Sequence, residues 1–423
     1  MRYQETCSWE MAANAARGKM HIAVFNQFFW PDVIATGQYL TDVSRALSLD
    51  HDVTAICSGP AHGCPDSSPY PRIVIVRSRT IAFAHRAFAR IASYLSYLSG
   101  SMWHGLRLRC PDVILTLTTP PILPVIGSLI STLRGARHVV WEMDVYPDVA
   151  TDVGWFRKGS LIDCLSGVII DWSRRRAFAI VVLGDDMKSR LIGRGIDSEK
   201  IHIVENWADG SGIVPHPFPD GPLVIHYSGN LGLAHEIETI KGAMGRLRNH
   251  KDFRFVFSGA GARRPALEGF CRSENIHNVE FRSYCERVDL GRSLSEAHLG
   301  LVTQRPETLG SVVPSKTYGI MAAGRPLLFI GPDASTPARH IQRFNCGWRI
   351  EPGDVDSLTK LLLSLNQDRS IIVEAGKLAR AAFDAHFDSC VSIPRLTAVI
   401  CGAGSRTVSR AGLRPAAGFR PAE

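Results

Sequence analysis

The stretch Ser311–Pro326, SVVPSKTYGIMAAGRP, runs from a loop into a short helix and then into a strand. Pro314 and Ser315 suit the entry to a helix, and Gly324 suits its end before the apolar run LLFI at residues 327–330. Lys316 would lie in the first turn, where a cation opposes the helix dipole. Because helix N-termini at the carboxyl ends of parallel strands bind phosphates, the stretch predicts an α/β fold with an anion site here.

Strand and helix patterns alternate along the chain on both sides of this stretch. In the first half, apolar runs typical of strands occur at residues 21–26, 52–57, 72–76, 112–117, 138–143, 179–184 and 201–206. After a break rich in Gly, Pro and Asp, they resume at residues 223–230, 253–259, 278–281, 299–304 and 326–331. Continuous apolar strands between helices indicate parallel sheets that are covered on both faces.

Two such alternating segments predict an α/β protein with two Rossmann-like domains whose parallel sheets face a central cleft. We assign residues 20–207 to the first domain, 208–222 to a linker and 223–370 to the second domain. Residues 371–401 are expected to form helices that pack back on the first domain. Residues 1–19 and 402–423 lack such patterns. We interpret them as an N-terminal extension, disordered or upstream of a true start at Met20, and as a disordered tail.

Composition limits the functional class. The ten cysteines include no C-x-x-C pair, which argues against zinc and favours a reducing compartment, the cytoplasm. No apolar run reaches about 18 residues, and the N-terminus lacks the apolar region of a secretory signal. The net charge is +8, of which residues 1–19 and 401–423 contribute +1 and +3. The positive charge that remains on the body of the chain suits an anionic ligand or a membrane surface and does not suggest nucleic-acid binding.

Three loops of the second half follow strands and carry residues suited to anion binding. They contain Gly229 and Gly232 in YSGNLG, Gly259, Gly261 and Arg263 in FSGAGARR, and Ser311, Ser315 and Lys316 of the opening stretch. Each loop alone is also compatible with an ordinary structural turn or helix entry. Together they would meet at one edge of a sheet, where open α/β sheets bind ligands. A dinucleotide site is disfavoured because no strand is followed by G-x-G-x-x-G with a later acidic residue.

The first half offers candidates at two strand ends. Gly37 and Gln38 lie at a loop-to-helix junction in FFWPDVIATGQYL, and Asp144 and Asp148 lie in WEMDVYPDVA. A carboxylate at the carboxyl end of a strand is a candidate base or a binder of sugar hydroxyls. The structural alternative is helix capping, which fits Asp148 better than Asp144.

Residues 84–109 form a long, basic and aromatic segment with a helical pattern. Five apolar or aromatic residues, Phe88, Ile91, Tyr94, Leu95 and Leu98, are predicted to share one helical face, while His85, Arg86 and Arg90 add polar or positive character at one end. The segment is expected to pack on the sheet, and contact with a membrane surface is an alternative that can coexist with that packing.

The order and spacing of these pieces resemble a two-domain glycosyltransferase of family 4, the retaining type with the B architecture, over about residues 20–390. The resemblance is carried by NQFFWPDVIATGQYLTDVSRAL, DVYPD and IVVLGDDMKSRLIGRGIDSEKIHIVENWAD in the first half. In the second half it is carried by YSGNLG, FSGAG, VPSKTYGIMAAGRP and CGWRIEPGD. The motif at residues 313–326, VPSKTYGIMAAGRP, is most similar to the motif of bacterial transferases of O-antigen, capsule and exopolysaccharide synthesis.

This resemblance implies a hexosyl- or N-acetylhexosaminyltransferase that uses a nucleotide-diphosphate sugar and no other cofactor. The acceptor, a saccharide or a lipid-linked saccharide, would enter through the first domain near Gly37, Gln38 and Asp148. Asp144, Lys316 and His235 are predicted to be catalytic, and no clustered carboxylates suggest a metal. The donor would be bound by Gly229, Asn230, Gly232, Gly259, Gly261, Arg263, Ser311, Ser315, Tyr318 and Gly319.

The sequence departs from the family pattern at four of these positions. Ser311 and Gly319 occupy the places where many members have two glutamates, while Asn230 and His235 replace an Arg and a Lys that hold the diphosphate. His235 could supply positive charge when protonated, or a hydrogen bond when neutral. A sugar-nucleotide epimerase of the same architecture and a catalytically inactive assembly partner therefore remain alternatives. The expected location is cytoplasmic, peripheral on the inner face of the plasma membrane.

Overall fold

The computed structural model describes residues 19–32, 34–59, 72–81 and 87–402. The predictions made for residues 1–18, 403–423, His85 and Arg86 lie outside these ranges. The described chain contains two parallel sheets flanked by helices, each in its own half of the sequence. Within the described residues, no helix combines the length and the apolar composition needed to cross a membrane.

The first sheet has seven parallel strands in the order β3-β2-β1-β4-β5-β6-β7. Its elements, in chain order, are β1 (His21–Phe25), α1 (Ala35–Leu47), β2 (Asp52–Ser58), β3 (Ile73–Ser78), α2 (Ala87–Arg107), β4 (Val113–Thr116), α3 (Leu123–Arg134), β5 (Arg137–Trp141), α4 (Asp148–Asp152), α5 (Leu161–Arg176), β6 (Ala179–Val182), α6 (Asp185–Gly193) and β7 (Ile201–Ile203).

The second sheet has six parallel strands in the order β10-β9-β8-β11-β12-β13. Its domain contains β8 (Leu223–Ser228), α7 (Glu238–Arg246), β9 (Phe253–Ser258), α8 (Arg264–Ser273), β10 (Val279–Arg282), α9 (Leu290–Ser295), β11 (Leu299–Thr303), α10 (Lys316–Ala322), β12 (Leu327–Ile330), α11 (Thr336–Phe344) and β13 (Gly347–Ile350). Three helices follow: α12 (Val355–Gln367), α13 (Ser370–His386) and α14 (Ser389–Ile400).

Both sheets place their first strand in the middle and reverse strand order beside it. The reversal leaves a crevice at the carboxyl ends of the strands, where α/β proteins bind ligands. The central strands are largely apolar because helices cover both faces, as β1 and β12 illustrate with four fully buried apolar residues each. The predicted α/β fold with two Rossmann-like sheets is confirmed.

The C-terminal helices divide between the two domains. Helix α13 packs against α10 in the second domain, whereas α14 packs against α1 and β6 in the first. Leu396, Val399 and Ile400 of α14 are buried in the same apolar core as Val24 and Val181. The packing on the first domain is therefore made by α14, after the chain has completed the second domain.

Loops from the two domains contact each other at the crevice. The backbone N–H of Val145 donates to the carbonyl oxygen of Ser311 at 2.9 Å, and Asp144 and Val312 form an isolated antiparallel bridge. Beside them, the Asp186 carboxylate accepts a 2.7 Å hydrogen bond from the hydroxyl of Thr336. These contacts bring the loop that contains Asp144, on the predicted acceptor side of the first domain, against the stretch Ser311–Pro326 of the second domain.

Candidate active site

Two of the predicted glycine loops lie backbone against backbone. Gly259 has a φ of +122°, and a Cβ at this position would lie 2.1 Å from the carbonyl oxygen of Gly229. Gly261 has a φ of +138°, and its Cβ would lie 2.3 Å from the oxygen of Leu231. Only glycine combines these backbone angles with such close approach. The loops after β8 and β9 therefore form one layer, as their predicted shared role requires.

Lys316 lies beside this layer, at the start of α10. Its ammonium group is 3.3 Å from Nε2 of His235 and 4.7 Å from the ring centre of Tyr227. The Cε atom of Lys316 would lie 3.5 Å from a Cβ on Gly229. No described carboxylate forms a salt bridge with this ammonium group, and burial lowers its pKa to about 7. We call Lys316, His235, Tyr227 and Gly229 the Lys316 cluster.

His235 is neutral, which is one of the two states that the sequence left open. Its Nδ1 lies 2.7 Å from the carbonyl oxygen of Thr303, so Nδ1 carries the proton and donates to that oxygen. The lone pair of Nε2 then faces the ammonium group of Lys316. Burial, with the nearby Lys316 charge, lowers the pKa of His235 to about 3. His235 is therefore a neutral acceptor that orients Lys316, and it does not supply positive charge.

The hydroxyl groups predicted to bind phosphate are committed elsewhere. Ser311 is fully buried, and its Oγ donates to the carbonyl oxygen of Thr308 at 3.1 Å. The hydroxyl of Tyr318 donates to Glu205 in the first domain at 3.0 Å, and Ser315 forms a side-chain hydrogen bond with Tyr39. These contacts join the domains or shape their loop, and the assignment of the three residues as donor ligands stays a prediction.

Gly319 and the loop after β8 complete the second-domain side. A Cβ on Gly319 would lie 3.5 Å from Leu294, an ordinary contact, so the fold itself does not exclude a larger residue here. Gly232 lies against Asn230, whose amide nitrogen would be 3.2 Å from a Cβ on the glycine. The hydroxyl of Tyr227 donates to the carbonyl oxygen of Asn230 at 2.7 Å and so ties the loop to β8.

Arginine side chains hold the loop of residues 231–235 in place. Arg263 donates from Nε to the carbonyl oxygen of Leu233 at 3.4 Å, and Arg305 donates to the same oxygen at 3.5 Å. Arg264 instead donates to the carbonyl oxygens of Gly259 and Arg282 and pairs with Glu268 at 2.6 Å. Arg305 is absent from the sequence-based candidates, although it follows β11 by two residues as a strand-end cation.

Asp144 lies on the first-domain side of the contact between the domains, where its backbone bridges to Val312. Burial and the neighbouring Glu142 raise the pKa of Asp144 to about 6. Glu142 is itself fully buried and paired with Arg174 at 2.7 Å. Asp144 also interacts electrostatically with Tyr94 and Tyr146. A carboxyl group with this pKa can accept a proton near neutral pH, which suits a general base.

The other acceptor-side candidates have structural contacts. Asp148 is paired with Arg194 at 2.7 Å and with Arg190 at 3.2 Å, which favours the structural alternative, while its assignment as an acceptor ligand stays a prediction. Gly37 allows α1 to start against Phe28, because a Cβ would lie 3.2 Å from the Phe28 carbonyl carbon. Gln38 is half-buried in the same first turn. Of the two predicted carboxylates on this side, Asp144 is the one that forms no salt bridge among the described residues and has a raised pKa.

The described residues contain no group of three or more His, Cys, Asp or Glu side chains placed to hold a metal ion. Metal independence remains a prediction. The arrangement offers a desolvated cation on one domain and a carboxylate of raised pKa on the other, with a polypeptide contact between their loops.

Comparison with protein families accounts for most of the chain. Residues 35–207 match the model of a glycosyl transferase 4-like domain, and residues 213–382 match that of glycosyl transferases group 1. The protein belongs to the two-domain glycosyltransferases. The resemblance inferred from the sequence motifs is confirmed, and the chain is an enzyme of this class.

Two relatives extend along much of this glycosyltransferase. A probable glycosyltransferase of Pseudomonas aeruginosa, WbjE, is 25% identical over 305 residues, covering 70% of this chain and 75% of the relative. WcaI of Escherichia coli (strain K12), named for colanic acid biosynthesis, is 24% identical over 339 residues, covering 72% of this chain and 82% of the relative.

Solved structures share the same fold at low identity. Sucrose-phosphate synthase from Thermosynechococcus elongatus aligns with a TM-score of 0.72 and 15% identity, covering 91% of this chain and 99% of that one. Anabaena HepE in complex with UDP-glucose aligns with a TM-score of 0.67 and 13% identity, covering 91% of this chain and 100% of HepE. The lipopolysaccharide biosynthesis glycosyltransferase WaaG aligns with a TM-score of 0.66 and 15% identity, covering 90% of this chain and 100% of WaaG. The fold is that of the glycosyltransferases with the B architecture.

Proposed function

We propose that this glycosyltransferase moves a sugar, with retention, from a nucleotide-diphosphate donor to an acceptor hydroxyl in the synthesis of a bacterial cell-surface polysaccharide. The polysaccharide context is supported by the relative WcaI, named for colanic acid biosynthesis, and by the similar structure of WaaG, named for lipopolysaccharide biosynthesis. The donor class is supported by HepE, which has been solved with UDP-glucose. The sugar is expected to be a hexose or an N-acetylhexosamine, and no cofactor beyond the donor is required.

The observation that carries the proposal is the ammonium group of Lys316. It forms no salt bridge with a carboxylate among the described residues, and burial lowers its pKa to about 7, so the ammonium form is disfavoured in the ligand-free protein. A diphosphate beside Gly229 would neutralise the ammonium charge and so restore this form. As the sugar leaves, negative charge develops on the diphosphate, and a fixed cation at this point stabilises the transition state.

The acceptor hydroxyl would attack the sugar on the face from which the diphosphate departs, assisted by the leaving phosphate. Asp144 would accept the hydroxyl proton or orient the acceptor, because it lies on the loop that contacts residues 311–312. The contact between the two loops would exclude water and so favour transfer over hydrolysis. His235 would fix the ammonium group of Lys316 without adding charge.

Purified protein incubated with nucleotide sugars and saccharide or lipid-linked acceptors tests this function. Lys316→Met should lower turnover by about 100-fold or more, the usual loss when one such contact is removed. Lys251→Met, which alters an exposed lysine of the same domain, is the matched control. Unchanged turnover in Lys316→Met would contradict the proposed mechanism. Activity that survives EDTA would support metal independence.

The same assay separates the alternatives. An epimerase would convert its nucleotide sugar in the absence of any acceptor, whereas a transferase requires one for a stable product. A catalytically inactive assembly partner would give neither transfer nor donor hydrolysis with any nucleotide sugar. The anomeric configuration of the product, read by NMR, tests retention. Fractionation of the cells would test the proposed cytoplasmic location at the inner face of the plasma membrane.

A further inference from the structure

Helix α5 exposes its apolar face to solvent. Its buried positions include Gly167, Asp171, Ser173 and Arg174, three of them polar. Six large apolar side chains form a stripe at helical spacing on the opposite side, with 37–74% of their surface exposed: Leu161, Ile162, Leu165, Val168, Ile169 and Trp172. An amphipathic helix of a globular domain normally turns such a stripe inward. Among the residues that the structure describes, none covers this stripe, so it is available to a partner.

Helices α2 and α3 repeat the arrangement. Helix α2 is buried through Ser93, Tyr97 and Ser101, whereas four of its large apolar residues are exposed: Ile91, Leu95, Trp103 and Leu106. The predicted common face of Ile91, Tyr94, Leu95 and Leu98 thus turns partly to solvent, because the fully buried contact is made by the face that contains Tyr97. The side chain of Phe88, the fifth residue of the predicted face, lies outside the described part of the structure. Helix α3 exposes Leu129 and Leu133 in the same way.

The three helices form a continuous layer on one side of the first sheet. Helix α3 packs against α2 on one side and against α5 on the other. The contact between α2 and α3 is close, since a Cβ on Gly105 would lie 2.3 Å from Ile130. We call the outer side of this layer, with the exposed residues named above, the three-helix surface. It is far larger than a few scattered apolar residues, which every protein surface has.

The charges on these helices have one dominant sign. Helices α2 and α3 contain no acidic residue. The two in α5 are engaged: Asp171 pairs with Arg174 and Arg194, and Asp163 accepts from the backbone N–H of Gly159. Basic residues lie in the last turns, including Arg107, Arg134, Arg175 and Arg176.

Basic and aromatic side chains are paired at the edges of the surface. The guanidinium of Arg107 lies 3.7 Å from the ring centre of Trp103, and that of Arg176 lies 5.3 Å from Trp172. A cavity of about 420 Å³ at the C-terminal ends of α3 and α5 is lined by Arg137, Arg176 and Lys200, among others. The surface thus combines an apolar centre with a cationic border.

We propose that the three-helix surface docks on an anionic phospholipid bilayer. A bilayer interface offers both things that this surface matches, apolar chains for the exposed stripes and anionic headgroups for the arginines. Tryptophan is favoured at the boundary between these two regions. A second copy of the chain is a poorer occupant, because two surfaces with the same cationic border would repel each other.

The surface begins next to the acceptor side of the cleft. Arg90 and Tyr94, in the first turns of α2, interact electrostatically with Tyr146, and Tyr94 also interacts with Asp144. An acceptor carried by a membrane lipid could therefore reach Asp144 while the protein remains docked. This last step rests on the proposed function, whereas docking itself does not.

Vesicle flotation with the full-length protein tests the proposal. The protein should float with vesicles of phosphatidylglycerol and phosphatidylcholine in equal parts, and much less with phosphatidylcholine alone. Val168→Glu should weaken vesicle binding by about tenfold or more, because it places a charge in the apolar centre. Val288→Glu, at an exposed valine of the second domain, should bind as the wild type does.

Two controls make the result decisive. Stabilisation by nucleoside diphosphate should be equal in Val168→Glu and wild type, which shows an intact fold and separates docking from donor binding. Vesicle binding should fall as salt is raised. The proposal is overturned if wild type ignores anionic vesicles or if both valine variants bind alike. It is also overturned if wild type is a dimer that Val168→Glu converts to a monomer without any vesicle binding.

Discussion

Nε2 of His235 lies 3.3 Å from Nζ of Lys316, while Nδ1 of the same ring donates to the carbonyl oxygen of Thr303 at 2.7 Å. The imidazole therefore fixes a cation by accepting a hydrogen bond and adds no charge of its own. The pKa of Lys316 is lowered to about 7 by burial and that of His235 to about 3, so near neutral pH Lys316 is the member of the Lys316 cluster whose charge changes.

Lys316→Met should stabilise the ligand-free protein while removing its response to donor. In the wild type the buried ammonium group is disfavoured, and an apolar side chain of similar length removes that unfavourable term. We expect the midpoint of thermal unfolding at pH 7 to rise by about 2–4 °C for each kcal/mol gained. Differential scanning calorimetry with and without UDP measures both effects.

The pH dependence of that stabilisation provides its control. Above about pH 7 the folded wild type has lost the Lys316 proton, whereas the unfolded chain keeps it until its ordinary pKa of 10.5. The unfolded state then binds more protons, so wild-type stability rises with pH relative to the variant. The difference between the two proteins should shrink between pH 7 and 10. A difference that is constant with pH would show that packing, and not charge, is responsible.

Nucleoside diphosphate binding should take up a proton above pH 7. The ligand-free protein has a pKa of about 7 at Lys316, and a bound diphosphate should raise it by favouring the ammonium form. Affinity should therefore fall by up to about tenfold per pH unit above pH 7. Isothermal titration calorimetry in two buffers of different ionisation enthalpy gives the proton count at pH 8. Lys316→Met should show no such uptake, and an equal uptake in both proteins would place the titrating group elsewhere.

Asp144→Asn should lower kcat by about 100- to 10,000-fold with little change in donor binding, as expected for loss of a general base. Because the pKa of Asp144 is raised to about 6, wild-type activity should fall as the pH drops through 6 and the carboxylate is protonated. The variant should not show this fall in activity at low pH, which is the acidic limb of the pH–activity curve. Transfer rates between pH 5 and 8 measure both.

Asp148→Asn is the matched control for this prediction. Its carboxylate pairs with Arg190 and Arg194, so the substitution should lower the midpoint of urea unfolding and leave the acidic limb in place. If Asp148→Asn removed the limb instead, Asp148 would be the base and the assignment of Asp144 would be wrong.

The sequence predicted those features that depend on local pattern. The central strands are buried on both faces, so their continuous apolar runs are easily recognised. Strand β13 is not among the predicted strands, because it lies half-exposed at the sheet edge, contains Arg349 and has only a short apolar run. Gly229, Gly259 and Gly261 were identified because tight loops need glycine. The ion pairs of Asp148 with Arg194 and the hydrogen bond of Tyr318 to Glu205 join residues far apart in sequence, which local pattern does not reveal.

The orientation of α5 shows a second limit of sequence pattern. Leu161, Leu165, Val168 and Trp172 have the spacing of an apolar helix face, and such a face is usually turned to the core. Their exposure follows from the other face, where Gly167 lies against Arg194 and where Arg174 reaches the buried Glu142. Only the three-dimensional contacts distinguish a stripe that faces the sheet from one that faces solvent.

Gly259→Ala should destabilise the protein and weaken donor binding together. The new Cβ would lie 2.1 Å from the carbonyl oxygen of Gly229, and the φ of +122° is strained for any residue with a side chain. The two loops would have to separate, which would move Gly229 away from Lys316. We expect a loss of about 2 kcal/mol or more, measured by urea unfolding, and a higher Kd for UDP.

Gly269→Ala tests whether this effect belongs to the loop contact. Gly269 lies in α8, and a Cβ there would meet no atom within 4 Å. Alanine should stabilise that helix by about 0.5–1 kcal/mol and leave UDP affinity unchanged. If Gly259→Ala behaved like Gly269→Ala, the close packing of the two glycine loops would not be what positions the Lys316 cluster.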